Sequence, residues 1–346
     1  MGVGVGILGF AHGHVGAYCA RWSADETLGV RVTAGWDHDA GRLARAAERH
    51  ELAACESPEA LLAREDVAAV VVAAETALHA DLIVQAAEAG KAVICQKPLA
   101  LTLDQADAVV AAVERTGTAF TMAWQMRVDP HNLEMKALLD SGRFGKVFMV
   151  RRRHGLSTQL MANFEASWHV DATMNRDIWA DDAAHPIDFI YWLCGMPLSV
   201  TAELGTLANP RIVNDNGIAT FRYADGAFAE VSCTFAAVGG ECSAEIVCEK
   251  GIIIQNYGDG PSTSVPRPAG AISLKWYHQD DAQWTVSQLL DTPNQGHRIA
   301  ALAGPLGEFL TGARKPIATA VEGRDVLRLV LACYESAEHG KRILLH

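Results

Sequence analysis

The chain has 346 residues, half of them apolar and a fifth charged, a composition that predicts two folded domains with sizeable cores. Its 41 acidic residues outnumber its 29 lysines and arginines, and the formal charge of −12 argues against a nucleic-acid partner, which would need clustered positive charge. We expect no membrane association, because no apolar stretch reaches the roughly 18 residues of a membrane span and no basic segment precedes the apolar N-terminus.

The first 124 residues alternate between short apolar runs and amphipathic stretches. Ser57 before Pro58 predicts a helix start, and Thr102 with Gln105 predicts a capping box. Strands buried on both faces that alternate with helices are typical of a parallel sheet, which predicts a doubly wound Rossmann domain over residues 1–124. The predicted strands are 3–8, 30–36, 67–74, 92–95 and 118–123. Two helices are predicted to begin near residues 13 and 57, and three more to span 39–50, 77–89 and 102–116.

Residues 125–346 have a different pattern. Several β-rich runs lie between 198 and 256, and two of them, 217–223 and 228–235, are joined by Ala-Asp-Gly, which predicts a hairpin. Three prolines and three glycines in 258–270 predict an exposed loop. The whole pattern predicts an α+β substrate domain with a mostly antiparallel open sheet. The predicted helices are 131–141, 183–194, 297–312 and 320–339.

The first predicted strand runs into a glycine-rich loop, Gly9-Phe10-Ala11-His12-Gly13-His14. It departs from the dinucleotide fingerprint Gly-x-Gly-x-x-Gly at its second and third glycines, but it lies between a strand and a helix, and Asp37 follows the second strand. We expect Asp37 to hold the adenosine ribose, and NAD is therefore favoured over NADP because a carboxylate repels a 2′-phosphate. The alternative is a tight turn with no ligand. The two histidines lack nearby cysteines or carboxylates, so we expect no metal there.

Further motifs recur along the chain and together carry a family resemblance. They are Thr76-Ala-Leu-His79, Glu88-Ala-Gly-Lys-Ala-Val-Ile-Cys-Gln-Lys-Pro-Leu99, Arg127-x-x-Pro130, Ser141-Gly-x-x-Gly-Lys-Val147 and Asp181-x-x-x-His185-x-x-Asp188. This combination resembles the glucose–fructose oxidoreductase, inositol dehydrogenase and rhizopine catabolism (Gfo/Idh/MocA) family over nearly the whole chain. The resemblance implies an NAD(H)-dependent oxidoreductase that transfers a hydride to or from a secondary hydroxyl of a sugar, inositol or related polyol.

The resemblance also implies the catalytic residues, which are Lys97, Asp181 and His185. Oxidation of an alcohol removes a hydride and a proton, and an imidazole is a suitable base for that proton near neutral pH. Asp181 lies four residues before His185, so both side chains share one face if the segment is helical, and Asp181 could orient the imidazole. Lys97 could polarise the substrate oxygen. The alternative is that these residues are structural: Lys97-Pro98 forms a tight turn, and Asp181 and His185 lie on a solvated helix face.

Two positions depart from the family pattern. Gln96 replaces a glutamate that usually reaches the cofactor ribose, and Glu75-Thr76 stands where Pro-Asn or a similar pair is usual, which leaves the adenine-side contact open. We expect the residues that contact the cofactor to be Gly9, Phe10, Ala11, His12, Asp37, Ala74, Thr76, His79, Gln96 and Lys97.

Polar and aromatic side chains near the catalytic pair are candidates for substrate binding, since sugars are bound by aromatic faces and polar edges. The candidates are Arg127, His154, Trp168 and Asp182. Each residue type is also common in ordinary cores. A metal site built from His169, Asp181, Asp182 and His185 is a weaker alternative, and we expect no metal.

Two other functions remain open from the sequence. One is an enzyme that keeps NAD bound and uses transient oxidation for epimerisation, elimination or glycoside cleavage, and the other is a non-enzymatic sensor of NAD and a sugar. The eight cysteines form no Cys-x-x-Cys and are expected to be buried free thiols, which favours the cytoplasm. The resemblance further implies a homodimer or homotetramer formed through the C-terminal sheet.

Overall fold

The computed structural model describes residues 2–238, 242–255 and 269–345. The chain forms two compact units. The first contains Met1–Gln125, Ala172–Asn175 and Ile299–Leu327, and the second contains Met126–Asp171, Arg176–Arg298 and Arg328–His346. Within the described ranges, every helix is too short or too polar to cross a lipid bilayer.

The first unit is built on a six-stranded parallel sheet with the strand order β3-β2-β1-β4-β5-β6. All four residues of β4 are buried, as expected for a central strand covered on both faces. The predicted doubly wound Rossmann fold is therefore confirmed. Its elements are β1 (Val3–Leu8), α1 (His14–Ala24), β2 (Val30–Trp36), α2 (Ala40–His50), β3 (Ala53–Ala54), α3 (Pro58–Leu62), β4 (Ala69–Val72), α4 (Thr76–Glu88), β5 (Ala92–Cys95), α5 (Leu103–Thr116) and β6 (Phe120–Met122).

Local signals set the ends of these helices as the sequence predicted. The Ser57 side chain accepts a hydrogen bond from the Ala60 N–H at the start of α3. Thr102 and Gln105 form the reciprocal capping box of α5. These caps matter for function because they define the loops at the carboxyl edge of the sheet, where ligands bind in folds of this kind.

The second unit contains a nine-stranded sheet with the order β14-β13-β12-β11-β7-β10-β9-β8-β15. The pairing of β10 with β7 is parallel and the other pairings are antiparallel. The predicted hairpin is confirmed, with Phe228 opposite Arg222. Its strands and helices are α6 (Pro130–Asp140), β7 (Val147–Gly155), α7 (Ala184–Cys194), β8 (Ser199–Gly205), β9 (Asn216–Arg222), β10 (Phe228–Thr234), β11 (Ser243–Cys248), β12 (Gly251–Gln255), β13 (Leu274–His278), β14 (Gln283–Val286) and, after the helices named below, β15 (Ile343–Leu344).

Two details differ from the sequence-based expectation. A π-helical turn, Trp179–Ala183, precedes α7, where a regular helix was expected from 183. The helix predicted over 297–312 is two helices, α8 (Gln295–Ala301) and α9 (Ala303–Leu310). The physical reason is Pro305, which has no N–H to donate to the carbonyl of Ala301. Most of the loop predicted over 258–270 lies outside the described residues.

The predicted domains and the compact units share a division near residue 125 and differ elsewhere. Ala172–Asn175 and Ile299–Leu327 pack within the first unit, although they follow it in sequence. The last helix, α10 (Ala320–His339), contributes its residues up to Leu327 to the first unit and the rest to the second. The assignment of 1–124 to the cofactor and 125–346 to the substrate stays a prediction.

Candidate active site

The loop after β1 is held tightly against the loop after β4. Gly9 has φ +89°, and a Cβ there would lie 2.3–2.5 Å from atoms of Ala74, so only glycine fits. The Phe10 N–H donates to the carboxylate of Asp37 at 2.7 Å. The His12 N–H donates to the carbonyl of Ala73 at 2.9 Å. The sequence predicted a glycine-rich loop between β1 and α1, and these bonds tie that loop to the ends of β2 and β4.

Asp37 is buried at the end of β2 and accepts four hydrogen bonds. Two come from the backbone N–H groups of Phe10 and Asp39, at 2.7 and 2.8 Å. The other two come from the guanidinium of Arg42, whose Nε and Nη2 lie 2.7 and 2.8 Å from the two carboxylate oxygens. The carboxylate thus stands where a ribose-binding acid is expected, but an arginine is paired with it side-on.

Arg42 also joins Asp37 to the loop after β4. Its Nη2 lies 2.9 Å from Oε1 of the buried Glu75, and Nε2 of His38 lies 2.9 Å from Oε2 of the same carboxylate. Arg42 was not among the residues predicted from the sequence, and the role of Glu75 was left open. A usable signal was present, since an arginine in the first turn of α2 follows the ribose acid by five residues.

His79 fastens the loops after β4 and β5 to each other, and Thr76 ties the first of these loops to Asn175. The two ring nitrogens of His79 lie 2.8 Å from the Pro98 carbonyl and 3.1 Å from the Ala74 carbonyl, so this side chain bridges the two loops. Thr76 Oγ1 donates to Oδ1 of Asn175 at 2.5 Å. Direct cofactor contacts of Thr76 and His79 stay predictions.

Lys97 is buried at the end of this bridged loop, and the Lys97-Pro98 peptide bond is cis. Gln96 is fully buried beside it. The Gln96 Nε2 donates to the hydroxyl of Tyr18 at 2.8 Å, whereas its Oε1 has no hydrogen-bond partner among the described residues. Burial raises the pKa of Tyr18, which is therefore a neutral hydroxyl.

The residues of the first unit fit a dinucleotide. A buried acceptor such as Gln96 Oε1 is costly unless a donor reaches it, and a ribose hydroxyl is a donor of the right kind. The Asp37 carboxylate at the end of β2 has the acceptor chemistry that an adenosine ribose requires. Gly13, beside the start of α1, has no atom within 4 Å of an added Cβ, which leaves room for a pyrophosphate at that helix end.

In the second unit, the carboxylate of Asp182 lies between two imidazoles. Its Oδ1 is 3.6 Å from Nε2 of His185, and its Oδ2 is 3.3 Å from Nε2 of His154. The other ring nitrogen of His154 lies 3.3 Å from the sulfur of Cys242. The four side chains form a buried row of sulfur, imidazole, carboxylate and imidazole, of which sequence reasoning missed Cys242.

Asp181 and His185 were predicted to share one face of a regular helix, but the π-helical turn over Trp179–Ala183 changes the rotation per residue. Asp181 is buried, and its N–H donates to the carbonyl of Asp177 at 3.2 Å. The carboxylate 3.6 Å from His185 belongs to Asp182. The catalytic role of Asp181 stays a prediction.

The pKa of His154 reflects this row of groups. Burial acts to lower the pKa of the imidazole, but the Cys242 sulfur and the Asp182 carboxylate outweigh burial and raise the pKa to about 10. His154 is therefore a cation near neutral pH, whereas an exposed histidine is mostly neutral.

The other predicted substrate residues are placed differently. The guanidinium of Arg127 is paired with the buried carboxylate of Asp188, with N–O distances of 2.7–3.1 Å. Trp168 is half-buried and stacks on His169, with ring centroids 4.0 Å apart. Their contacts with substrate stay predictions. Within the described ranges, no group of three or more His, Cys, Asp or Glu side chains has the arrangement of a metal site.

Comparisons with known proteins identify the family. The sequence model of the oxidoreductase family with an NAD-binding Rossmann fold matches residues 3–124, and that of the GFO/IDH/MocA C-terminal domain matches residues 132–254. The chain belongs to the Gfo/Idh/MocA oxidoreductase family. The resemblance predicted from its motifs is thereby confirmed.

Relatives of this Gfo/Idh/MocA protein include two inositol dehydrogenases. An inositol 2-dehydrogenase 2 from Paenarthrobacter aurescens is 31% identical over 261 residues, which cover 72% of this chain and 74% of that protein. An inositol 2-dehydrogenase 2 from Saccharopolyspora erythraea is 34% identical over 208 residues, and the match spans 60% of this chain and about 58% of that protein's length. A solved structure of levoglucosan dehydrogenase in complex with NADH and levoglucosan has a TM-score of 0.85 at 21% identity and covers 99% of both chains, which shows the same fold.

Proposed function

We propose that this Gfo/Idh/MocA protein is a dehydrogenase that uses NAD(H) to oxidise a secondary hydroxyl of a sugar, inositol or related polyol. The observation that carries the proposal is the Asp182 carboxylate, which lies within 3.6 Å of the two buried imidazoles of His154 and His185. Two relatives are named inositol dehydrogenases and a structural neighbour is a levoglucosan dehydrogenase, which supports a polyol or anhydrosugar as the substrate class.

His185 acts as the base in this proposal. Its imidazole takes the hydroxyl proton, and the nearby carboxylate of Asp182 stabilises the imidazolium that results. Asp181 assists as a second carboxylate of the same turn. The Lys97 ammonium donates a hydrogen bond to the substrate oxygen and stabilises negative charge on it while the proton leaves.

The cofactor supplies the remaining chemistry, since NAD accepts the hydride when it is bound. Gln96 and Asp37 would hold its two riboses, and the open space beside Gly13 would admit its pyrophosphate. Arg127, His154, Trp168 and Asp182 bind the hydroxyls and the ring face of the substrate.

The test is a panel of inositols, anhydrosugars and free sugars with NAD, followed by absorbance of the reduced cofactor. We expect net NADH formation with at least one polyol. Lys97→Met should lower kcat by about 100- to 10,000-fold, and the affinity for NADH, measured by fluorescence, should change only a few-fold. Lys250→Met, at an exposed lysine, is the matched control and should retain full activity. Ligand binding without net NADH formation on any member of the panel would contradict the proposal.

We further propose that the protein acts as a homo-oligomer in the cytoplasm. One face of its C-terminal sheet presents Met149 next to Phe228, with Arg151 next to Glu230 and Glu245. The apolar side chains of Met149 and Phe228 are half-buried or exposed, and a second copy of the chain would cover them. All eight cysteines are free, and seven of them are buried, which supports a reducing compartment.

A further inference from the structure

The carboxylate that should bind the adenosine ribose is already fully engaged. A carboxylate offers about four lone-pair sites, and in Asp37 they are used by two backbone N–H groups and by two N–H groups of Arg42. A ribose diol needs acceptor sites on the same two oxygens. The backbone donors are fixed by the turn, whereas the arginine side chain can rotate. Binding of NAD therefore requires Arg42 to give up at least part of its contact with Asp37.

Arg42 has a second anchor that keeps it near the ribose when it leaves Asp37. Its Nη2 lies 2.9 Å from Oε1 of Glu75, which belongs to the loop after β4. Glu75 is itself buried, and its other oxygen lies 2.9 Å from His38. Because this contact is to Glu75, Arg42 can keep it while it releases Asp37.

Apart from its carboxylate partners Asp37 and Glu75, Arg42 has basic neighbours along α2. It lines a cavity of about 660 Å³ together with Phe10 and Gly13 of the glycine-rich loop. Arg45 and Arg49 of α2 line the same cavity, while Glu48 supplies an opposing charge. A guanidinium binds a phosphate through two parallel hydrogen bonds, as it now binds the carboxylate of Asp37.

We propose that Arg42 is the residue that determines how this protein discriminates between a 2′-hydroxyl and a 2′-phosphate on the adenosine ribose. It competes with the ribose hydroxyls of NAD for Asp37, and it offers its guanidinium to the 2′-phosphate of NADP. Asp37 alone would bind NAD and repel NADP. With Arg42 present, the preference for NAD over NADP is smaller than it would be with Asp37 alone.

The test measures binding of two ligands that lack the reacting ring, ADP-ribose and 2′-phospho-ADP-ribose, by calorimetry with the full chain. We expect Arg42→Ala to bind ADP-ribose as tightly as the original protein or more tightly, because Asp37 is then available. The same change should weaken the binding of 2′-phospho-ADP-ribose at least tenfold, because the negative charge of Asp37 is then no longer offset by Arg42. The dissociation constant for 2′-phospho-ADP-ribose divided by that for ADP-ribose should therefore rise at least tenfold. Since neither ligand can be reduced, the outcome does not depend on the substrate proposal.

Three controls make the experiment decisive. Arg64→Ala removes a half-buried arginine that is paired side-on with Asp66 through two hydrogen bonds of 2.9 Å, and it should leave both dissociation constants unchanged. Arg42→Lys keeps the charge without the planar fork and should recover part of the 2′-phosphate affinity. In an Asp37→Asn background, Arg42→Ala should no longer favour ADP-ribose. Equal weakening of both ligands by Arg42→Ala, in a protein that melts at the original temperature, would overturn the proposal.

Discussion

His154 holds its proton at a pH where an exposed histidine has lost it, since its native pKa is about 10 against 6.5 for the unconstrained side chain. A raised native pKa means that the charged form stabilises the fold. This contribution is complete below pH 6.5, decreases as the pH rises, and is lost above about 10. The groups that face the ring are Cys242, Asp182 and His185, whose own ring centroid is 6.0 Å away.

We therefore expect His154→Gln to flatten the pH dependence of stability. Between pH 7 and pH 9.5, the free energy of unfolding of the original protein should fall more steeply than that of the variant, by up to about 1.4 kcal/mol per pH unit. Urea unfolding at several pH values measures the difference in slope. His297→Gln, at an exposed histidine of α8, should keep the original slope. Parallel curves for the original protein and His154→Gln would show that the ring is neutral in the fold.

At the scale of elements, the turn from β1 into α1 contains two glycines with different tolerances. Gly9→Ala would place a Cβ 2.3 Å from Ala74 Cα in a left-handed backbone conformation, and Gly13→Ala would meet no atom within 4 Å at φ −58°. We expect Gly9→Ala to lower the free energy of unfolding by at least about 2 kcal/mol, because strain and overpacking add. Gly13→Ala should change it by no more than about 0.5 kcal/mol. Urea unfolding of the two variants tests this contrast, and similar losses would argue against the close contact at Ala74.

The elements were also the level at which sequence reasoning succeeded most. The apolar runs of β1 and β4, the cap at Ser57 and the hairpin at Phe228 follow local rules, and periodicity reports them directly. The pairing of Arg42 with Asp37 and Glu75 was not predictable in the same way, because it joins side chains up to 33 residues apart through a fold. The π-helical turn before α7 is a tertiary adjustment that no local propensity encodes.

For the whole molecule, the proposed oligomer can be tested at the open face of the C-terminal sheet. The variant Met149→Asp/Phe228→Asp places two charges opposite each other on neighbouring strands, so it should disfavour burial of this face. We expect light scattering to give a multiple of 37.1 kDa for the original protein and 37.1 kDa for the variant. Leu207→Asp, at an exposed residue that follows β8, is the control and should not change the mass. A monomeric original protein would contradict the proposal.

The first unit completes its hydrogen bonding with residues from near the end of the chain. The Met122 N–H donates to the Ala318 carbonyl at 2.8 Å, and Trp22 Nε1 donates to the Ala303 carbonyl at 2.9 Å. A gene fragment that stops after residue 125 would leave those donors exposed or unsatisfied, and it would express poorly as an isolated Rossmann fragment. During synthesis on the ribosome, the first 125 residues therefore complete the core of their unit only after Ile299–Leu327 has been made.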